Sequence, residues 1–261
     1  MSAVAEEPRM VKSAQRALVV LEVLADAKGL IPVTELHRRT GFPRSSLHQL
    51  LHTMIAMHWV EPSADGTSVR LASRALLVGT SYLDADQALP YAVHTLEEIR
   101  EDTGYTVHYA RLDGSHVLYL ATRETTEPHR ATSRVGRRLP AYATALGKAL
   151  LAELTAAEAD ALLPSGPLTA LTERTVTDRD TLARELRETR ERGYAVEHEQ
   201  NTRGIGCVSV TVPYRIPATD ALSCSMPIAD AETTEATAKV ATVLQEHARR
   251  LAARLRAEGI R

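Results

Sequence analysis

The chain has 261 residues, a length that suits one or two domains, and its 44% hydrophobic and 25% charged residues are typical of a globular protein. With 31 basic and 33 acidic side chains the formal net charge is -2, which excludes attachment to nucleic acid or membrane by bulk positive charge but not a local basic site. Two cysteines exclude a disulfide-dense scaffold, and the lack of a signal-like or membrane-spanning apolar run predicts a cytoplasmic protein without a membrane partner.

The first part of the chain, residues 11–72, carries the signals of three helices followed by a hairpin. Gly41 ends the second predicted helix and Pro43 opens the third, so only a short turn separates the two. Extended runs on either side of Asp65-Gly66 predict a β-hairpin. This order predicts a winged helix-turn-helix DNA-binding domain, whose third helix would enter the major groove.

The rest of the chain mixes helical and extended patterns. A linker helix is predicted over residues 73–86, and a second domain over residues 87–261. In that domain we expect a hairpin turning at Asp113-Gly114, a buried Ala- and Leu-rich helix over residues 139–154, a helix capped by Asp178, three later strands and a terminal helix. The predicted fold class is therefore α+β.

One face of the third helix carries side chains that can reach base edges or phosphates, and it contains no carboxylate. Its candidate DNA-binding residues are Arg44, Ser45, Ser46, His48, Gln49 and His52, and the candidates for phosphate contacts nearby are Arg38, Arg39 and Arg70. The alternative is a merely solvated face, although such a face normally mixes Glu with Lys.

The sequence offers no recognisable catalytic site. Gly147-Lys148 is similar to the end of a phosphate-binding loop, but Ala149 replaces the required Ser or Thr and Tyr142 occupies the first glycine position. Cys207 lies in an apolar strand without a hydrolase pattern around it, which is typical of a small core residue. We therefore predict no catalytic residue and no cofactor. The rival interpretation is an enzyme whose C-terminal α/β domain is catalytic and is fused to a regulatory DNA-binding domain.

Several stretches resemble the IclR (isocitrate lyase regulator) family of bacterial transcription factors. SAQRALVVLEVLADAKGLIPVTELHRRTGFPRSSLHQLLHTMIAMHWVE is similar to that family's DNA-binding domain. LPAYATALGKALLAEL, then ELRETRERGYAVEHEQNTRGIGCVSVTVP, then LSCSMP resemble its effector-binding domain in order and spacing. The resemblance implies a regulator of a metabolic or catabolic operon, in which a linker helix joins the winged helix-turn-helix to a PAS/GAF-like mixed α/β sensor domain.

The resemblance also implies partners and a pocket. The partners would be double-stranded operator DNA, a small-molecule effector and the chain itself, as a homodimer or a dimer of dimers. The effector pocket would be lined by Ala145, Leu146, Glu197, Ile205, Cys207, Ser223 and Ser225, with Pro128 and Ala131 as further wall residues in a variable loop. Met226 stands where the family commonly has glycine, and Glu197 where some members have Asp.

The expected ligand is a small organic acid or an oxo or hydroxy compound. A helix beginning near Tyr142 would direct backbone N–H groups toward its oxygens, the two serines would add hydroxyl groups and Glu197 would accept from a ligand hydroxyl. An alternative reads Glu197, Cys207 and His108 as metal ligands, because carboxylate, thiolate and imidazole suit zinc.

The sequence of the linker helix predicts that the chain associates with itself. Leu76, Leu77, Val78 and Leu83 give it more apolar surface than a lone helix would leave in water. We therefore expect at least a dimer, which also suits recognition of a near-palindromic operator.

Overall fold

The computed structural model describes residues 10–27, 29–125 and 135–261. Their contacts divide the chain into two compact units, one up to Asp84 and one from Ala85 to Arg261. In the part of the chain described, no helix is long and apolar enough to cross a membrane.

The first unit is a winged helix-turn-helix, as the sequence predicts. Its helices are α1 (Lys12–Ala27), α2 (Val33–Thr40), α3 (Arg44–Ala56) and α4 (Arg74–Asp84), and its strands are β1 (Ile31–Pro32), β2 (Val60–Pro62) and β3 (Ser68–Leu71). The strands form an antiparallel sheet in the order β1-β3-β2, and β2 and β3 make the wing. Val20, Leu24, Leu36, Leu47 and Leu51 lie in the core that holds the first three helices against the sheet.

The turn between α2 and α3 depends on glycine. Gly41 has a φ of 66°, in the left-handed region that glycine adopts without strain, and its N–H donates to the His37 carbonyl at the end of α2. Pro43 precedes the first residue of α3 instead of occupying its first turn. The turn directs the exposed face of α3 away from the core.

Helix α4 buries none of its residues within the first unit. Leu76, Leu77 and Val78 are exposed by 68%, 71% and 55%, and Leu83 is partly exposed. The predicted apolar surface of the linker helix is therefore present.

The second unit is built on a six-stranded antiparallel sheet in the order β6-β5-β4-β9-β8-β7. Its strands are β4 (Thr106–Asp113), β5 (His116–Arg123), β6 (Arg138–Pro140), β7 (Ala195–His198), β8 (Ile205–Thr211) and β9 (Asp220–Pro227). Its helices are α5 (Leu89–Thr103), α6 (Ala145–Ala152), α7 (Ala156–Leu162), α8 (Arg179–Arg192), α9 (Ile228–Ala231) and α10 (Thr234–Ala257). Helix α6 covers one face of the sheet and packs against α8, whereas α5 and α10 cover the other face.

The predicted Ala- and Leu-rich helix is interrupted, which corrects the expectation that it begins near Tyr142. Residues Ala141–Ala143 form a 3₁₀ turn, Thr144 is extended, and α6 begins at Ala145. The Thr144 hydroxyl accepts from the Gly147 N–H and caps the new helix. Gly147 is required here, because a Cβ at this position would lie 2.2 Å from the Ala141 carbonyl oxygen.

The sheet face under α5 and α10 contains a buried charge cluster centred on Asp220, which is 0% exposed. Arg111, its neighbour across β4 and β9, donates to it from Nε at 2.6 Å and from Nη2 at 2.9 Å. The hydroxyls of Tyr109 and Tyr214 also donate to Asp220. Arg111 also lies 2.7 Å from a carboxylate oxygen of Asp86, whose other oxygen accepts from backbone N–H groups at the start of α5. Each buried charge therefore has an opposite charge or a hydrogen-bond donor beside it.

Candidate functional site

The outer face of α3 is polar and exposed. Leu47, Leu51 and Met54 turn inward and are buried. The exposed residues include Arg44, Ser45, His48, Gln49 and His52, whereas Ser46 is partly exposed. Within the described residues these six side chains make no hydrogen bond or ion pair with the protein, and α3 contains no carboxylate. The face therefore offers donors and acceptors that are free to contact a partner.

The three predicted phosphate contacts are already engaged in ion pairs. Arg38 and Arg39 both bind Glu35, at 2.6 Å and 2.8 Å, and their hydrogen bonds lower the pKa of Glu35 to about 2. Arg70 binds Glu61 on the neighbouring wing strand at 2.9 Å. All three arginines are exposed, so their side chains are accessible although their charge is partly offset.

On the second unit, a row of polar side chains crosses five strands on the sheet face beneath α6. Glu197 on β7 lies opposite Cys207, its register neighbour on β8. The Cys207 thiol lies 3.3 Å from the Ser225 hydroxyl on β9, and Ser225 lies 3.1 Å from His108 Nε2 on β4. His108 Nδ1 lies 3.0 Å from the Thr122 hydroxyl on β5. We call these five residues the polar row.

The polar row is open in part. Cys207, Ser225 and Thr122 are partly exposed, whereas His108 and Glu197 are 3% and 2% exposed. Burial lowers the pKa of His108 to about 4 and raises the pKa of Glu197 to about 7. The row therefore presents a hydroxyl and a thiol directly, with a neutral imidazole behind them.

Glu197 is held in place by Gln200, which belongs to a buried polar group around Lys148. One of its oxygens accepts from the Gln200 backbone N–H at 2.8 Å. The Gln200 side chain accepts from the fully buried ammonium of Lys148 at 2.5 Å, and Lys148 also binds Glu185 of α8 at 2.5 Å. Lys148, which the sequence suggests only as part of a failed phosphate loop, thus joins α6 to α8 and to the loop after β7.

The structure brings most of the predicted pocket residues together. Ala145 packs in a small cluster with Ala149, Ala195 and Cys207, next to the polar row. Ser223 lies on the same sheet face as the polar row and pairs with His108 in the register of β4 and β9. Ile205 lies at the start of β8, where it pairs with Pro227 of β9. Pro128 and Ala131 lie outside the described residues.

Leu146 differs from the other predicted pocket residues. Its side chain packs into the main core with Tyr142 and Leu150, so its backbone N–H in the first turn of α6 is the group available near the row. Sequence reasoning assigns His108 only to a possible metal site and misses Thr122. The sequence could have indicated His108, because a histidine at an inward-facing position of an alternating strand is unusual. Nothing in the sequence sets Thr122 apart in this way.

The described residues give no support to the zinc site or to the enzyme active site that were the alternatives from the sequence. His108 contacts Ser225 instead of Cys207 or Glu197, and no group of three His, Cys, Asp or Glu side chains in the described ranges is arranged to hold a metal ion. Ser225 and His108 are arranged like a nucleophile and its base, but the group on Nδ1 is the Thr122 hydroxyl instead of a carboxylate. A buried, neutral imidazole with a pKa of about 4 is poorly suited to base catalysis near pH 7.

Comparisons with known proteins match both units. A model described as the IclR helix-turn-helix domain matches residues 13–64, and one described as the bacterial transcriptional regulator IclR C-terminal matches residues 80–253. The chain is 34% identical over 203 residues to the HTH-type transcriptional regulator XynR of Escherichia coli, covering 78% of this chain and 81% of XynR. It is 32% identical over 243 residues to the acetate operon repressor of Salmonella typhimurium, covering 90% and 88%. A crystal structure of an IclR homologue from Microbacterium hydrocarbonoxydans, complexed with 4-hydroxybenzoate, superposes with a TM-score of 0.75 at 25% identity, covering 94% of this chain and 99% of that one.

Proposed function

The chain belongs to the IclR family of bacterial transcriptional regulators, and from that membership we propose that it binds an operator through α3 and senses a small organic acid at the polar row. The observation that carries the DNA part is the exposed face of α3, whose six candidate side chains have no partner among the described residues. Gln49 can pair bidentately with adenine and Arg44 with guanine. Arg38, Arg39 and Arg70 would contact phosphates, after exchanging their carboxylate partners for the DNA backbone.

The DNA part is tested with the DNA upstream of the chain's own or the neighbouring gene. Gln49→Ala or Arg44→Ala should weaken binding to that site by about 1–3 kcal/mol in fluorescence anisotropy and should affect a scrambled duplex less. Thr53→Ala, which changes another exposed residue of α3, is the matched control. Equal losses on both duplexes would mean that these side chains contact phosphate alone.

The ligand part rests on the geometry around Ser225. The N–H groups of Ala145 and Leu146, in the first turn of α6, favour a ligand carboxylate, while Ser223, Ser225 and Glu197 would bind its other oxygens. The 4-hydroxybenzoate in the related structure is a ligand of this chemical class. Chemical transformation of the ligand forms no part of the proposal.

Thermal-shift measurements on a panel of small carboxylates, including 4-hydroxybenzoate, test the ligand part. A true ligand should stabilise the wild type progressively with concentration and should do so less in the Ser223→Ala/Ser225→Ala variant. Stabilisation by a divalent metal that a chelator reverses, with no response to any acid, would contradict the proposal.

We further infer that the active form is a homodimer or a dimer of dimers, working in the cytoplasm where its operator lies. Residues 11–72 would bind DNA, residues 73–86 would form the linker and residues 87–261 the sensor domain. The exposed leucines of α4 would be covered by a second copy, and a ligand that prefers one arrangement of the dimer would change DNA affinity through the linkers. Light scattering at micromolar concentration should give at least a dimer; a monomer with and without DNA would contradict this.

A further inference from the structure

His108 is a buried polar side chain on β4, in the sheet of the second unit. The imidazole is buried, yet neither of its nitrogens faces a charged group. Each nitrogen lies within hydrogen-bond distance of a hydroxyl, Thr122 on one side and Ser225 on the other. Burying a polar ring is costly unless its hydrogen bonds are satisfied, and here both bonds go to groups that can donate or accept.

The ring is neutral at physiological pH, because burial holds the pKa of His108 at about 4. A neutral imidazole carries one N–H, and the proton can lie on either nitrogen. Since Thr122 and Ser225 are both hydroxyls, each of them can accept a hydrogen bond from the ring or donate one to it.

The two tautomers have opposite consequences for Ser225. If Nδ1 carries the proton and donates to Thr122, Nε2 accepts the Ser225 proton, and the Ser225 oxygen is left to accept from a ligand. If Nε2 carries the proton and donates to Ser225, the Ser225 O–H is directed away from His108 and can donate to a ligand or to the Cys207 thiol. Ser225 is partly exposed, so it can contact a ligand, whereas His108 acts from behind it.

We propose that His108 and Thr122 are positioning residues of the effector pocket, which set whether Ser225 donates or accepts and so fit the site to a ligand carbonyl or hydroxyl oxygen. This inference rests on the proposed ligand site. It adds an orientation: the neutral oxygen of the ligand binds Ser225, and the carboxylate binds elsewhere, toward the start of α6. The reason is that, among the described residues, no cationic side chain contacts Ser225 or His108 through a hydrogen bond or ion pair, and a buried carboxylate requires a cation or several donors.

Two substitutions of His108 separate its two hydrogen bonds. His108→Gln places an amide near the position of Nε2 and keeps the link to Ser225, whereas His108→Asn keeps the link to Thr122 and loses the other. The probes are 4-hydroxybenzoate, 4-formylbenzoate and benzoate, which carry a hydroxyl, a carbonyl and no second oxygen, together with aliphatic hydroxy and oxo acids. Affinities are measured by calorimetry on the full-length protein, and melting temperatures show whether each variant folds.

We expect His108→Asn to weaken binding of hydroxy and oxo acids about tenfold, the loss of one hydrogen bond, while His108→Gln stays within about threefold of wild type. Benzoate should bind all three proteins equally. Thr122→Val keeps the side-chain shape, so it should fold, and should weaken the same ligands several-fold. The nitrogen-15 NMR shifts of His108 should also show opposite tautomers with a hydroxyl ligand and with a carbonyl ligand, a change that a purely structural histidine would not undergo.

The outcomes separate this inference from the proposed function. Ligands that bind the wild type, fail to bind Ser225→Ala, and yet bind His108→Asn and Thr122→Val unchanged would overturn the roles of His108 and Thr122 while leaving the pocket in place. An unchanged tautomer with both ligand types would overturn the switching of Ser225. If no acid binds the wild type, or if Ser225→Ala binds as well as wild type, the proposed pocket is wrong and this inference falls with it.

Discussion

The two units use polar side chains in opposite ways. The six candidate DNA-binding side chains of α3 are exposed or partly exposed and have no partner among the described residues, whereas the polar row of the second unit is partly or fully buried and its members hydrogen-bond to one another. An exposed face can adapt to a long partner that brings its own donors and acceptors. A buried row is ordered before its ligand arrives, so little is lost in ordering it on binding. The difference suits a DNA contact in one unit and small-molecule recognition in the other.

The largest expected effect is the loss of stability when a buried ion pair is removed, with an exposed ion pair as the comparison. Arg111→Met leaves Asp220 buried without its cation, and unfolding titrations should show a loss of about 3–5 kcal/mol. Arg70→Met removes the exposed pair with Glu61 and should cost less than about 1 kcal/mol. Similar losses of stability in the two variants would contradict the contrast between the buried polar groups of the second unit and the exposed ones of the first.

The second prediction concerns the pH dependence of stability. The pKa of His108 is about 4 in the folded protein, below the 6.5 of an unfolded histidine, so between these values the unfolded state binds a proton that the folded state does not. Stability should therefore fall as pH falls from 6.5 to 4, by roughly 3 kcal/mol for this group. Comparing wild type with His108→Gln isolates this contribution, and parallel pH profiles would contradict it.

The third prediction tests the close packing around α6. Gly147→Ala forces a Cβ against the Ala141 backbone and should destabilise the second unit by about 1–3 kcal/mol, and it should weaken ligand binding by displacing α6. Gly29→Ala in the first unit meets no atom within 4 Å and is the matched control. Equal melting temperatures for the two variants would show that α6 can shift at little cost.

The smallest expected effect concerns the exposed arginines of the first unit. Glu35→Gln removes the carboxylate that binds Arg38 and Arg39, so both arginines should become more available to phosphates. DNA affinity should rise a few-fold at low salt, with little change in stability, and log affinity should fall more steeply with log salt concentration. An affinity that is unchanged at every salt concentration would exclude these arginines from the DNA contact.

The first unit was largely predictable because its signals are local. The inward positions of α3 repeat with the helical period, and Gly41 and Asp65-Gly66 mark the turns directly. In the second unit the cap at Asp178 is a local signal of the same kind, and it is present at the start of α8.

The polar row was predictable only in part because it is assembled from five separate strands. Glu197, Cys207 and Ser225 follow from the family resemblance, but no spacing along the chain indicates that His108 and Thr122 complete the row. The interruption before α6 also escapes sequence reasoning. It depends on the contact between Gly147 and Ala141, and alanine-rich sequence favours an unbroken helix.

The charge cluster on the opposite face of the sheet also sets the alignment of the proposed ligand site. Arg111 faces Asp220 across β4 and β9, and three residues further along the same two strands His108 faces Ser223. A slip of one residue between these strands would separate the buried charges and turn His108 to the wrong side of the sheet. The ion pair between Arg111 and Asp220 therefore favours a single register of β4 and β9, so residues outside the proposed pocket align its hydroxyls.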